Sequence, residues 1–307
     1  MDAYRIQELI ANFVCRANRE KEPVEAISVL LHNREVASYR WVDDRARDIY
    51  SHTKSFVSIA VGIAIEEGLL NLETRLAEIF PEDAAKNSDP RIHRITLRDL
   101  LMMASGFGVP LLNNYSSIPE NCLDYLMTRP ILDTPGTKHV YSNGDTTLIG
   151  LMLEKTTGVS LGEYMYEKVL KPMDIPKPEW RKLPSGQEFG AGGMVLRLSD
   201  MMKLGQLCLA GGVWQGKRIV SEEWIREATK KQIDTLPSLW NCGYGYQFKR
   251  SPYPDSYRAA GLFGQVTTVL PQIDAIVGIQ CGENVSGSWE PIRLMLHEEV
   301  LSKMTDH

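Results

Sequence analysis

Phe56 to Ile65 is apolar at every position except Ser58 and Gly62. A helix that is apolar all round has no face for water and must be enclosed by other elements. Any fold of this chain therefore wraps structure around this segment. Ser51-His52-Thr53-Lys54, the only Ser-x-x-Lys in the chain, stands at its start. Residues three apart share a helix face, so the spacing puts a hydroxyl beside an amine at the N-terminus of a buried helix. Burial disfavours the ammonium and lowers its pKa toward the neutral base. A neutral amine touching a hydroxyl makes an activated nucleophile. The alternative is structural: Ser51 as a helix cap and Lys54 as a solvated first-turn residue. A first-turn Lys opposes the helix dipole, and the nearby acids Asp43, Asp44 and Asp48 all lie upstream of that turn.

Composition narrows the function classes. Of the 307 residues, 43% are hydrophobic and 24% charged, as in ordinary globular chains. A net charge of −5 offers no basic footprint for nucleic acid. No apolar run approaches the roughly 18 residues that span a bilayer, so no membrane partner is expected. Met1-Asp2-Ala3-Tyr4-Arg5 lacks a basic stretch leading into an apolar one, and the expectation is a cytoplasmic protein. Cys15, Cys122, Cys208, Cys242 and Cys281 are odd in number and scattered, which fits reduced thiols. With no Cys-x-x-Cys and no His-x-x-x-His, neither a metal nor another cofactor is expected.

Periodicity divides the chain. Residues 4–18 read as an amphipathic helix with Ile6, Leu9, Ile10, Phe13 and Val14 on one face. Residues 26–31 and 35–41 read as strands joined by a tight turn at His32-Asn33-Arg34. The central helix stops near Gly68. From 70 to 190 helices alternate with long Pro-broken loops, with capping signals at Thr96-x-x-Asp99 and Ser160-x-x-Glu163. Beyond 190, helices capped by Ser199 and Ser221 precede strands at 243–248, 257–260, 265–270 and 275–281, then a last helix over 289–301. Strands at both ends with helices between predict an α+β fold. An antiparallel sheet flanked by N- and C-terminal helices forms a discontinuous domain from 1–70 and 190–307, and an all-helical domain, 71–189, is inserted into it.

Two motifs carry no chemistry on this reading. Gly211-x-x-x-x-Gly216-Lys217 continues with Arg218 where a phosphate loop needs Ser or Thr, and is read as a helix-to-hairpin turn. Gly190-Ala191-Gly192-Gly193 lacks the further small residue of a dinucleotide fingerprint and is read as a flexible junction loop.

Tyr141-Ser142-Asn143, the only Tyr-x-Asn, lies in a loop after Pro135-Gly136, where a polar turn with an Asn cap is the plain alternative. Ala259-Ala260-Gly261-Leu262 reads as a strand whose glycine admits another backbone. Ser-x-x-Lys, Tyr-x-Asn and a late glycine-bearing strand, in that order, resemble the serine hydrolases of the class C β-lactamase, penicillin-binding protein and family VIII esterase superfamily. Thr96 through Ser105-Gly106, Gly192-Gly193-Met194 before Ser199-Asp200, and Gly211 through Trp224 extend the likeness over residues 25–282. The resemblance implies a β-lactamase/transpeptidase-like fold with Ser51 as nucleophile, Lys54 beside it and Tyr141 shuttling the proton. It implies that Asn143 orients Lys54 and substrate, and that the backbone N–H groups of Ser51 and of Leu262, after Gly261, form the oxyanion hole. Whether Lys54 or Tyr141 is the base stays open.

The chain departs from that pattern at Ala259, where relatives carry Lys or His. Arg258 points to the opposite strand face and is no substitute. The expectation is therefore a serine hydrolase forming an acyl-enzyme from a small neutral ester or amide. β-Lactamase or D-Ala peptidase activity is the enzymatic alternative, and a silent ligand-binding module the non-enzymatic one.

Overall fold

Strands from both ends of the chain meet in one sheet. The structure, a computed structural model, describes residues 2–236, 238, 240–282 and 289–305. Among them six strands pair antiparallel: β1 (Val24–Leu31), β2 (Arg34–Arg40), β3 (Lys249–Arg250), β4 (Tyr257–Gly261), β5 (Gln265–Leu270) and β6 (Ala275–Cys281), in the order β2-β1-β6-β5-β4-β3. The β1–β2 connection is a two-residue turn, because His32 and Asn33 both take positive φ (50° and 60°) and Arg34 already starts β2. Two positive-φ residues match the twist of the flanking strands, which makes this the favoured hairpin geometry.

Alternation along the strands sorts residues between two apolar clusters. Ile27, Val29, Val277 and Ile279 face helix α1 (Ala3–Glu20), which buries Ile6, Leu9, Ile10, Phe13, Val14 and Ala17, as expected. The Asp2 carboxylate caps α1 by accepting from the Arg5 backbone N–H at 2.9 Å. The C-terminal helix shares this side, beginning at Glu290 and continuing past the expected end to Thr305. Tyr257, Ala259 and Val269 face the other way, into the cluster around helix α2 (Thr53–Glu66). Phe56, Val57, Ile59, Ala60, Val61 and Ala64 of α2 are fully buried, so the enclosed helix read from the sequence is observed. Trp224 packs against Gly62 and donates its indole N–H to the Ser58 carbonyl at 2.9 Å. Truncating such a core side chain, Phe56→Ala for example, costs about 3–5 kcal/mol.

Two expected elements differ. Residues 243–248 are not a strand; only Tyr244 makes isolated bridges before β3. Gly243 (φ 129°) and Gln247 (φ 65°) break the extended path. Gln247 turns inward instead, donating to the Leu101 carbonyl at 2.9 Å and accepting from Thr146 at 2.7 Å. Ser199 is not a helix cap: the helix runs Leu198–Leu209, and the Asp200 carboxylate reaches back to the Arg197 N–H. Ser221, Thr96 and Ser160 cap as expected. Gly211 to Lys217 forms the expected turn into a short hairpin, Val213–Trp214 with Lys217–Arg218.

A further long helix, α3 (Asn143–Thr157), starts at the Tyr141-Ser142-Asn143 loop. Ser142 caps it by accepting from the Gly144 N–H at 3.1 Å. Asp145, fully buried in its first turn, accepts from the Ser105 hydroxyl at 2.9 Å and pins the loop to residues 104–106. Burial pushes the Asp145 pKa from 3.8 up to about 7. The folded state thus binds this proton more tightly than the unfolded chain. That contribution to stability is complete below pH 3.8 and is lost as pH rises toward 7. Asp145→Asn supplies the uncharged form at every pH. Chemical denaturation between pH 4 and 8 should show a decline in wild type, up to on the order of 4 kcal/mol, that flattens in the variant.

Candidate active site

Ser51 belongs to a single 3₁₀ turn, Tyr50–His52, that leads directly into α2. Tyr50 holds a positive φ of 46°, and its N–H donates to the Asp48 carboxylate at 2.7 Å. Of the upstream acids, Asp48 thus shapes the turn, whereas Asp44 pairs with Arg40. His52, fully buried, lies 3.0 Å from the Thr267 hydroxyl on β5 and ties the turn to the sheet.

Lys54 is 1% exposed, and three segments close around its amine. Its Nζ donates to the Asn143 Oδ1 at 2.7 Å and the Ala191 carbonyl at 2.6 Å, and lies 2.9 Å from the Ser51 Oγ. All three partners are uncharged. A neutral amine has two N–H donors and one lone pair. Two donors for two obligate acceptors, and a lone pair for a hydroxyl that can donate, satisfy this set. Burial, with the nearby Lys249 as second cause, lowers the Lys54 pKa well below 10.5.

Tyr141 and Asn143 come to this amine from the start of α3. The Tyr141 ring centre lies 5.2 Å from Lys54 Nζ. Burial raises its pKa, opposed by a hydrogen bond with Ser51, so the phenol resists ionisation. Asn143 is 4% exposed. Its Nδ2 donates to the Leu112 carbonyl at 3.0 Å, and its backbone N–H to Asn113 Oδ1 at 2.8 Å. That grip turns the amide oxygen toward Lys54.

Gly261 ends β4 against the Tyr50–His52 turn. A Cβ there would lie 2.1 Å from the Ile49 carbonyl oxygen, so only glycine lets the strand approach. Leu262 follows at the start of a 3₁₀ turn, with its side chain at the surface. The next residue, Phe263, has φ 59° and sets its ring edge-on to Tyr50 at 5.2 Å. Ala259 is buried in the core, and Arg258 is held away from the cleft by Ser251, Asn241 and the Arg250 carbonyl.

The structure therefore gathers Ser51, Lys54, Tyr141 and Asn143, and brings Gly261 against their turn. It adds groups that the sequence reading missed. Residues 190–193 are buried rather than a flexible junction, because the Trp180 indole donates to the Phe189 and Gly192 carbonyls, both at 3.0 Å. That clamp presents the Ala191 carbonyl to Lys54, a backbone role with no side-chain signature. Lys249 on β3 sets its Nζ 4.9 Å from the Tyr141 ring centre. Tyr115 contacts Asn143, and burial pushes its pKa up to about 12.

Comparison with known proteins agrees with this architecture. A lovastatin esterase of Penicillium rubens is 30% identical over 186 residues, 53% of this chain and 46% of that protein. The chain spans about a third to two thirds of the length of the curated relatives it matches. Among solved structures, EstCE1, a hydrolase with promiscuous acyltransferase activity, superposes with a TM-score of 0.77 at 16% identity, covering 97% of this chain and 99% of its own. An octameric penicillin-binding protein homologue from Pyrococcus abyssi gives 0.75 at 20% identity, covering 95% and 76%. These likenesses show the fold. The Beta-lactamase family model matches residues 13–289, and the chain belongs to that family.

Proposed function

We propose that this chain is a serine hydrolase that cleaves a small ester or amide through an acyl-enzyme on Ser51. The observation that carries the reading is the Lys54 amine, buried without a carboxylate among the described residues and 2.9 Å from the Ser51 hydroxyl. In the acylation step Ser51 Oγ attacks the substrate carbonyl carbon and its proton passes to Lys54 Nζ. The negative charge forming on the carbonyl oxygen is met by the backbone N–H groups of Ser51 and Leu262. The leaving alcohol or amine takes a proton from the Lys54–Tyr141 pair as its bond to the carbonyl breaks. Water then attacks the ester on Ser51 by the same route in reverse.

The two pKa directions favour Lys54 as the base. Burial draws the amine toward its neutral form and holds the phenol in its protonated one. Tyr141 then relays a proton between Ser51, Lys54 and the leaving group. Similarity to a lovastatin esterase supports an ester as substrate.

A fluorophosphonate should label Ser51 alone. Peptide mapping that puts the adduct on Ser142, or finds none, overturns the assignment. Lys54→Ala and Tyr141→Phe should each slow turnover by roughly 10²–10⁴-fold. Combined, they should not multiply, because groups acting as one unit are non-additive. Activity should fall as pH drops through the Lys54 pKa, since protonation removes the base. That acid limb should persist in Tyr141→Phe; its disappearance there would transfer the base role to Tyr141.

Gly261→Ala should lower kcat at least 10²-fold, the usual effect of losing one oxyanion donor. A variant of unchanged kcat would remove the strand from the mechanism.

A further inference from the structure

A cavity of about 720 Å³ opens beside Tyr141, and its charge balance is unusual. Apolar and aromatic groups, Ile233, Leu236 and Tyr244 among them, form much of its wall. Besides the phenols of Tyr141 and Tyr244, four ionisable side chains line it: Lys138, His139, Asp234 and Lys249. Lys138 is paired with Asp133 at 3.1 Å, and Asp234 with Lys231 at 2.9 Å. His139 is held neutral: burial and Lys249 lower its pKa to about 4, and its buried Nε2 has no hydrogen-bond partner. Lys249 stands apart. Among the described residues no hydrogen bond or ion pair reaches its Nζ, which lies over the face of the Tyr141 ring.

Lys249 is also placed at the chemistry. The Tyr141 ring centre lies 4.9 Å from Lys249 Nζ and 5.2 Å from Lys54 Nζ, so both amines touch one ring. Lys249 pairs with Arg258 across β3 and β4, one residue from Ala259. Register alone gives Lys249 the face of Arg258; the reach of its side chain at the sheet edge is what brings Nζ to the Tyr141 ring, while Arg258 is tied back by Ser251 and Asn241.

We propose that Lys249 is a specificity-determining residue that binds a carboxylate on the substrate, so that the cavity beside Tyr141 receives an ester or amide whose acyl chain ends in an anion. This rests on the acyl-enzyme reading above and sharpens its substrate class. It also replaces the neutral preference expected from Ala259 alone. A desolvated ammonium facing an apolar wall is costly until an opposite charge joins it. A carboxylate entering from water regains a charge-assisted hydrogen bond there, which a neutral chain end does not need. Burial and the nearby Arg258 and Arg293 lower the Lys249 pKa to about 7, so an incoming anion favours its protonated form.

Matched substrates separate these terms. Mono-p-nitrophenyl glutarate and p-nitrophenyl pentanoate have acyl chains of equal length, one ending in carboxylate and one in methyl. Wild type should prefer the glutarate ester by roughly tenfold or more in kcat/KM, the scale of one charge-assisted hydrogen bond. Lys249→Met should abolish that preference, and Lys249→Arg should keep most of it. A preference for the pentanoate ester in wild type, or a ratio that Lys249→Met leaves unchanged, overturns the proposal. Equal slowing of both esters is one such unchanged ratio; it would make Lys249 only an electrostatic neighbour of Lys54.

Binding of monomethyl glutarate to the Ser51→Ala protein, followed by ligand-observed NMR, keeps the test independent of turnover. Loss of binding on adding Lys249→Met supports the proposal, and unaltered binding overturns it. Full turnover by Ser51→Ala would instead sink the acyl-enzyme reading and leave the Lys249 result standing.

Discussion

The Lys54 amine is enclosed with no carboxylate among the described residues to balance it, and the rest of the site follows from that. An isolated buried ammonium is so costly that the group sheds its proton unless a counter-charge is supplied. Asn143 Oδ1 and the Ala191 carbonyl satisfy the N–H donors of a neutral amine and leave its lone pair for Ser51. These partners come from the 3₁₀ turn before α2, from the start of α3 and from the loop clamped by Trp180. The protonation state of Lys54 is therefore a property of the assembled fold. An acid placed beside it would restore the ammonium and remove the base.

A second constraint is backbone proximity. β4 comes so close to the Tyr50–His52 turn that a methyl group at Gly261 would overlap the Ile49 carbonyl. Tyr50 and Phe263, on either side of this junction, both hold positive φ, a conformation that costs bulky residues on the order of 1–3 kcal/mol each. Their edge-to-face rings and the Asp48 bond to the Tyr50 N–H hold them there. The two backbone N–H groups assigned to the oxyanion, those of Ser51 and Leu262, adjoin these strained residues.

Much of this was legible in the residues. The apolar run around Phe56, the strand stretches β1, β5 and β6, and the caps at Thr96, Ser160 and Ser221 are local signals that survive into the fold. Ser51, Lys54, Tyr141 and Asn143 were readable as a group because Ser-x-x-Lys and Tyr-x-Asn are fixed spacings of polar side chains, and the fold brings the four together. What escaped has no local signature. Ala191 contributes a carbonyl, Tyr50 and Phe263 contribute torsions, and Lys249 acts through a position across the sheet edge. Residues 243–248 carry the aromatic content of a strand, but Gly243 and Gln247 bend the chain so that Gln247 joins α3 to residues 100–101. Tertiary hydrogen bonds there outweigh β-propensity.

The central claim is that Ser51 faces a neutral amine. Nitrogen-15 NMR of the uniquely labelled Lys54 side chain, titrated with pH, reads that state directly. The account predicts a titration midpoint well below the 10.5 of an ordinary lysine, with the amine neutral where the enzyme is active. A midpoint at or above 10.5 would mean a buried ammonium beside Ser51 and would contradict the account.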